Sequence, residues 1–392
     1  MSKLEKLIQQ YCPDGVEWIK IKDIAQVGTG SSNGNEADED GKYPFFVRSQ
    51  IVKSKNDFEY DEEAIIIPGE GGIGDIFHYI NGKYALHQRV YRIHFTTQQI
   101  NVKFAFYYMK SAFKRFIMTK AVSATVTSIR KPMIEDFEIP VPPLPVQEEI
   151  VRILDTFTEL QAELQAELQK RKQQYNYYRD NLLTNFTNER EPKEYTLEKA
   201  TIDIYSGATP SKEKKDYWEN GTIPWMSSGE VNLGQVYEVE GRITQLGYDK
   251  CSTKMVPEGS VVIALAGQGK TRGTVAILRT SVCTNQSLAA LIPNTKIVSG
   301  EYLYHYLKTQ YSKLREVSAG DGTRGGLNLK MLRAYKVVIP PLAEQNRIVA
   351  ILDRFDTLTN DLTSGLPAEI EKRRQQYEYY RDKLLTFKRK GA

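Results

Sequence analysis

The chain has 392 residues, of which 41% are apolar and 26% charged, with a formal net charge of +4. That length exceeds one ordinary domain and suits two with real cores. The charge is too small to mark a nucleic-acid binder by itself, and it does not exclude one whose Lys and Arg gather on one face. Three scattered cysteines (Cys12, Cys251, Cys283) form no CxxC pair, which argues against a zinc site or disulfide framework and for a reducing cytoplasm. No apolar run approaches the ~20 residues of a membrane span, and the charged opening Met1-Ser2-Lys3-Leu4-Glu5-Lys6 does not read as a secretory signal.

Residues 1–143 read as a first mixed segment, with strand-like runs at Ala64–Ile67 and Arg89–Ile93. Between them, Gly69-Glu70-Gly71-Gly72-Ile73-Gly74 fits GxGxxG. A dinucleotide site needs a helix next and an acidic residue about 20 positions on. Here Phe77–Gly82 reads as a strand and turn, and His94 stands at that distance, so the glycines predict a tight loop between strands. Residues 144–186 predict one long helix. Ile150, Ile153, Leu154, Phe157, Leu160, Leu164, Leu168, Tyr175, Tyr178 and Leu182 recur at steps of three and four, giving one apolar stripe. Pro140, Pro142, Pro143 and Pro145 bar helix before it, and Pro192 lies beyond its end. Residues 187–341 return to a strand-rich pattern, as in Ser260–Leu265. Ala264–Thr271 nearly fits a P-loop, but Ala264 stands where the first glycine is needed, so Lys270, Thr271 and Arg272 suit contact with a nucleic-acid backbone better. Residues 342–392 are helical again, with a stripe from Ile348 to Leu384 interrupted at Ser364-Gly365-Leu366-Pro367.

The order is therefore A-B-A-B, and the copies are visible in the sequence. Pro143-Leu144-Pro145-Val146-Gln147 through Ile153-Leu154-Asp155 returns as Pro341-Leu342-Ala343-Glu344-Gln345 through Ile351-Leu352-Asp353, a step of 198. Gln173-Gln174-Tyr175-Asn176-Tyr177-Tyr178-Arg179-Asp180 returns as Gln375-Gln376-Tyr377-Glu378-Tyr379-Tyr380-Arg381-Asp382, a step of 202. The A segments echo each other faintly: Leu86-His87-Gln88-Arg89 resembles Thr284-Asn285-Gln286-Ser287, and Lys42–Phe46 resembles Thr222–Met226. The expected fold is α+β. Two mixed α/β modules are joined by two long helices, which bury their stripes on each other as an antiparallel coiled coil with approximate two-fold symmetry. The plainer alternative packs each helix on its own module.

No catalytic or metal constellation stands out. Val141-Pro142-Pro143-Leu144 and Ile339-Pro340-Pro341-Leu342 lack the polar and aromatic members of an adenine methyl-transfer motif, and the four histidines (78, 87, 94, 305) are scattered. The doubled Pro-Pro-Leu and Gln-Gln-Tyr segments look like the specificity (S) subunits of type I restriction–modification systems. So do Thr209-Pro210-Ser211, Tyr217-Trp218-Glu219-Asn220-Gly221 with Ile223-Pro224-Trp225, and the opening Cys12-Pro13-Asp14-Gly15-Val16-Glu17-Trp18. The resemblance implies that each A segment is a target recognition domain reading half of a split, asymmetric double-stranded DNA site. It implies that the helices bind two methyltransferase (M) subunits, which carry S-adenosylmethionine, and that restriction (R) subunits join using ATP and Mg. The chain itself would then be non-catalytic and cofactor-free. A stand-alone methyltransferase or nuclease, and a coiled-coil adaptor without a DNA role, are the competing classes.

Polar and basic residues near the loops are the candidate readers, since Lys and Arg hold phosphates and Arg, Asn and Gln read base edges. In the first module these are Arg48, Ser49, Gln50, His87, Gln88, Arg89, Thr125, Thr127, Arg130 and Lys131. In the second they are Lys212, Lys214, Lys215, Gln268, Lys270, Arg272, Asn285, Gln286 and Arg324. For partner subunits the candidates are Tyr175, Tyr177, Tyr178, Arg179, Tyr377, Tyr379, Tyr380 and Arg381. The tandem Leu160-Gln161-Ala162-Glu163-Leu164-Gln165-Ala166-Glu167-Leu168 invites reading as a ruler, because four residues nearly preserve the buried face of a helix.

Overall fold

The strand-rich segments share part of one strand sequence. The structure, a computed structural model, describes residues 2–120, 128–184, 191–267, 271–318, 326–360 and 364–391. These divide into a first unit, Met1–Gln165 with Glu369–Ala392, and a second, Ala166–Ala368.

In the first unit the strands are β1 (Glu17–Lys20), β2 (Ala25–Thr29), β3 (Tyr43–Phe46), β4 (Lys53–Lys55), β5 (Tyr60–Pro68), β6 (His78–Leu86), β7 (Val90–Phe95) and β8 (Glu138–Val141). β1 pairs with β8, and the rest form one six-stranded sheet in the order β2-β7-β5-β6-β3-β4. Every neighbour in that sheet is antiparallel except β3 and β6, which run parallel. The apolar run Ala64–Ile67 is wholly buried because it serves both faces. Ile65 and Ile67 join the main core, while Ala64 and Ile66 pack with Phe46, Tyr84 and Leu86. The helix Val102–Lys120 contributes Phe104, Met109 and Phe113 to that main core. Each such side chain contributes roughly 1.5–3 kcal/mol on burial. The GxGxxG glycines lie in the connection between β5 and β6, and an antiparallel strand follows them.

The second unit holds β9 (Lys193–Thr196), β10 (Thr201–Ser206), β11 (Ile223–Met226), β12 (Gln235–Val236), β13 (Arg242–Ile243), β14 (Met255–Val256), β15 (Val261–Ala264), β16 (Val275–Leu278), β17 (Val282–Thr284), β18 (Leu288–Pro293) and β19 (Lys336–Ile339). The step of 198 carries β6 onto β16 and β17 together, β7 onto β18 and β8 onto β19. The single strand β6 thus becomes two, interrupted at residues 279–281. Arg279 there bonds sideways to Gln235 and Glu301 at 3.0 Å each. The one sheet accordingly becomes two, β10-β18-β15-β16-β12 and β13-β11-β17-β14, with β9 paired to β19. Val261 and Ile263 face one core and Val262 and Ala264 the other, repeating the two-sided burial of β5.

The central helix runs Leu144–Thr184, and the C-terminal helices run Leu342–Asn360 and Leu366–Leu384. Pro367 is the second residue of the last helix, where its missing N–H costs nothing. In the first unit, Val146, Ile150 and Leu154 of the central helix share a core with Leu385, and Phe157 meets Tyr377 and stacks on Tyr380 at 5.6 Å. In the second unit, Leu183 shares a core with Ile348 and Leu352, and Phe355 meets Tyr175 and stacks on Tyr178 at 5.7 Å.

The doubled glutamine explains why that motif recurs. Gln147 is fully buried. Its Nε2 donates to the carbonyls of Gln99 (2.8 Å) and Pro142 (2.6 Å), and its Oε1 accepts from the Asn101 N–H (2.8 Å). Gln345, equally buried, donates to Ile297 and Pro340 (2.8 Å each) and accepts from Ser299 (2.9 Å). In each unit one amide therefore ties the Pro-Pro turn to the segment that starts the covering helix. About two turns further along the long helices, Asp155 accepts from Tyr107 (2.6 Å) and Lys103 (2.7 Å), and Asp353 pairs with His305 (2.9 Å).

Candidate nucleic-acid interface

In the first unit, the end of β6 and the segment after β2 are locked together by backbone. A Cβ on Gly30 would lie 1.8 Å from the Leu86 carbonyl, so only glycine fits there. Beyond it the Ser32 N–H donates to Leu86, the Gln88 N–H donates to Ser32 (3.0 Å), and the His87 N–H donates to Phe46 (3.0 Å). This frame presents Gln88 outward beside Asn33, with Gln88 Nε2 donating to Asn33 Oδ1 at 2.9 Å. Next to it Glu70 accepts from Arg48 Nη1 (2.8 Å) and from Arg89 Nη1 (3.1 and 3.2 Å). The Arg48 guanidinium, and then that of Arg89, hold the Glu70 carboxyl below the usual range. Gly69 bridges the Arg89 carbonyl and the Ile129 N–H, which brings Arg130, at the start of the short helix Lys131–Glu135, to the same edge. Lys131 is exposed and pairs with Glu135 at 3.5 Å.

A cavity of 370 Å³ opens among these groups, lined by Gly34, Arg48, Ser49, Lys53, Glu70 and His87, with Val47 and Gly71. His87 is only 6% exposed, and its Nδ1 accepts the Arg89 N–H at 3.0 Å. Burial, then Arg48 and Arg89, push its pKa down, so the ring is neutral at pH 7. His87, a candidate reader in the sequence, is therefore a buried wall of the cavity. Ser49 is half-buried, its hydroxyl accepting from the Ile51 N–H in a local turn and its carbonyl meeting His78 Nε2. Gln50 is exposed.

The second unit repeats the frame with different side chains. A Cβ on Gly207 would lie 1.8 Å from the Thr284 carbonyl, as Gly30 does with Leu86. β17 runs parallel to β11, as β6 does to β3, and the Asn285 N–H donates to Met226. Gln286 is exposed and its Oε1 accepts from Thr209 Oγ1 at 2.5 Å, matching the tie between Gln88 and Asn33. Asn285 is half-buried and its Oδ1 accepts the Ser287 N–H. Lys212, Lys214 and Lys215 are exposed on the segment after β10. Lys214 lies over Tyr217 and Lys215 faces Glu219 at 3.8 Å. Arg272 is half-buried, and its carbonyl accepts from Arg315.

Two stretches of the chain, residues 13–173 and 199–372, match the family described as type I restriction modification DNA specificity domain. The chain belongs to this family. It is 41% identical over 250 residues to the specificity subunit of the type I restriction enzyme EcoR124I/EcoR124II of Escherichia coli, a match covering 62% of this chain and 60% of that subunit. It is 29% identical over 406 residues to a putative type I restriction enzyme specificity subunit of Haemophilus influenzae, covering 98% of both. The fold matches the S subunit of a type I restriction–modification system from M. genitalium with a TM-score of 0.61 at 17% identity, covering 95% of this chain and 96% of that one. It also matches an HsdS subunit from Thermoanaerobacter tengcongensis with a TM-score of 0.52 at 16% identity, covering 96% and 97%.

Within this specificity-family frame the reader candidates Thr125, Thr127, Gln268, Lys270 and Arg324 lie outside the described residues. Of the rest, the structure brings Arg48, Ser49, His87, Gln88, Arg89 and Arg130 together at one edge of the first unit. In the second it joins Asn285 and Gln286 to Thr209. Glu70, Asn33 and Thr209 were not legible as site residues, because each matters through a partner 19 to 77 positions away.

The helix aromatics separate into two sets. Tyr175 is buried and Tyr377 half-buried against the protein's own Phe355 and Phe157. They serve packing, in contrast to the partner contact that the sequence suggested for them. Tyr177 and Tyr379, at matching positions, are 66% and 63% exposed. Tyr178 and Tyr380 are edge-on to them and face both ways. Arg179 and Arg381 each pair with the following aspartate and lie over Tyr175 and Tyr377.

Proposed function

We propose that the chain is the DNA-reading subunit of a type I restriction–modification complex, with one target recognition domain in each unit reading one half of a split, asymmetric site. The observation that carries this is the doubled frame with divergent loops: the same glycine-and-parallel-strand edge presents Gln88, Arg48 and Arg89 in one unit and Gln286, Asn285 and Thr209 in the other. A repeated frame presents readers symmetrically to the two strands, and unlike readers make the site asymmetric.

The pairing of the long helices as an antiparallel coiled coil with approximate two-fold symmetry belongs to the same proposal. Its support is reciprocity. Phe157 of the first copy meets Tyr377 and Tyr380 of the second, while Phe355 of the second meets Tyr175 and Tyr178 of the first. Reciprocal contacts of this kind are what a two-fold generates. The repeated exposed tyrosines suit two copies of one partner, the methyltransferase subunits, with restriction subunits joining them. S-adenosylmethionine, ATP and Mg then belong to those partners, the chain itself is non-catalytic, and the complex works in the cytoplasm. No described helix is long and apolar enough to cross a membrane.

The test is to reconstitute the chain with its methyltransferase partner and sequence the methylated DNA. A two-part asymmetric motif with an unread gap is expected, with affinity that falls steeply with salt. Methylation by the chain alone would reveal a stand-alone enzyme, and a complex indifferent to DNA would reveal an adaptor.

A further inference from the structure

The cavity beside Arg48 has a chemistry that the general reading does not supply, and it can be followed to one base. Resting on the DNA-reading assignment above, we propose that this cavity of the first unit takes the major-groove edge of a guanine, with Arg48 and His87 as donors and Glu70 as the residue that positions Arg48.

His87 spends Nδ1 as an acceptor for the Arg89 N–H. A neutral imidazole carries its one proton on the other nitrogen, so Nε2 is a donor. Gly34, which lines the same cavity, has its Cβ direction 4.0 Å from that Nε2. Arg48 is pinned to Glu70 through Nη1 alone, and none of its other guanidinium N–H groups has a partner among the described residues. Gly71, at φ +76° with its Cβ direction 3.1 Å from the Arg48 carbonyl, leaves that approach clear of side chains.

The lining therefore offers donors, with its one carboxylate already engaged by two arginines. Guanine is the base whose groove edge shows two adjacent acceptors, N7 and O6. Adenine sets an amino group beside N7, cytosine shows an amino group, and thymine pairs one acceptor with a methyl. Arg48 and His87 donate to both acceptors of the first, set N–H groups against the amino groups of adenine and cytosine, and meet a methyl on thymine. A phosphate would also accept from these donors, since Arg48, Arg89 and Lys53 outweigh the charge of Glu70.

Arg48→Lys keeps the charge and removes the planar fork, so it separates the two ligands. The chain is assembled with its methyltransferase partner, and methylation is scored on DNA in which each position of the site is randomised in turn, for wild type, Arg48→Lys and Arg48→Ala. The wild type is expected to demand guanine at one position. Both variants are expected to lose that preference by about tenfold or more, at that position alone. Weakening that is uniform across sequences, with Arg48→Lys close to wild type, would assign Arg48 to the phosphate backbone and overturn the inference. So would variants that leave every positional preference intact. A wild-type complex with no split-site preference at all would sink the DNA-reading assignment and the guanine cavity with it, a result distinct from either variant outcome.

Discussion

Gln147 and Gln345 each satisfy three backbone groups from a fully buried position. Alanine at either leaves two carbonyls and one N–H without partners, each with a desolvation cost of about 1–3 kcal/mol that solvent entry partly relieves. We expect Gln147→Ala to cost about 2–3 kcal/mol of local stability, read by hydrogen exchange at the Asn101 amide. Gln345→Ala should expose the Ser299 amide in the same way and leave Asn101 protected. Unchanged protection at both amides would show that the staples are incidental. This residue was legible in the sequence as a repeat, because identical buried bonding demands an identical side chain. The role of Glu70 was not. Its position in a glycine loop gives no sign that Arg48 and Arg89 converge on it, and that convergence depends on β3 lying parallel beside β6. The burial of His87 was hidden for the same reason.

At the scale of elements, the long helices announced themselves because a three-and-four stripe needs only local sequence to be seen, and proline marks where each begins. Strands were legible where they are buried on both faces, as at Ala64–Ile67, and less so where pairing decides, as at β16 and β17. There a single strand of the first unit is divided by Arg279 reaching Gln235 and Glu301, a tertiary choice that no local window contains. The central helix also carries the tandem Leu-Gln-Ala-Glu unit, which lies wholly inside Leu144–Thr184. Removing Gln161–Leu164 shortens the helix by about 6 Å and leaves the stripe within about 40° of register. Under the DNA-reading assignment, methylome sequencing of the deletion should show both half-site sequences unchanged and the gap between them altered by one or two base pairs, at roughly 3.4 Å each. An unaltered gap would mean that the helix length does not set the spacing.

For the whole molecule, duplication makes a quantitative demand on partners. Tyr177 and Tyr379 occupy matching positions, are both largely exposed, and each meets the following tyrosine edge-on at 5.6 and 5.3 Å. Tyrosine is enriched among the few side chains that anchor an interface, and losing such an anchor costs about 2 kcal/mol or more of binding. If each copy holds one methyltransferase subunit, then Tyr177→Asp and Tyr379→Asp should each remove about one of two bound subunits. The double variant should remove both. Native mass spectrometry of the purified complexes reads this directly, as a shift from two subunits to one to none. Hydrogen exchange of the free chain should stay unchanged, because neither ring contributes to a core. A single substitution that released both subunits together would show that the partners bind as a linked pair. Full occupancy in the double variant would place the interface elsewhere on the chain.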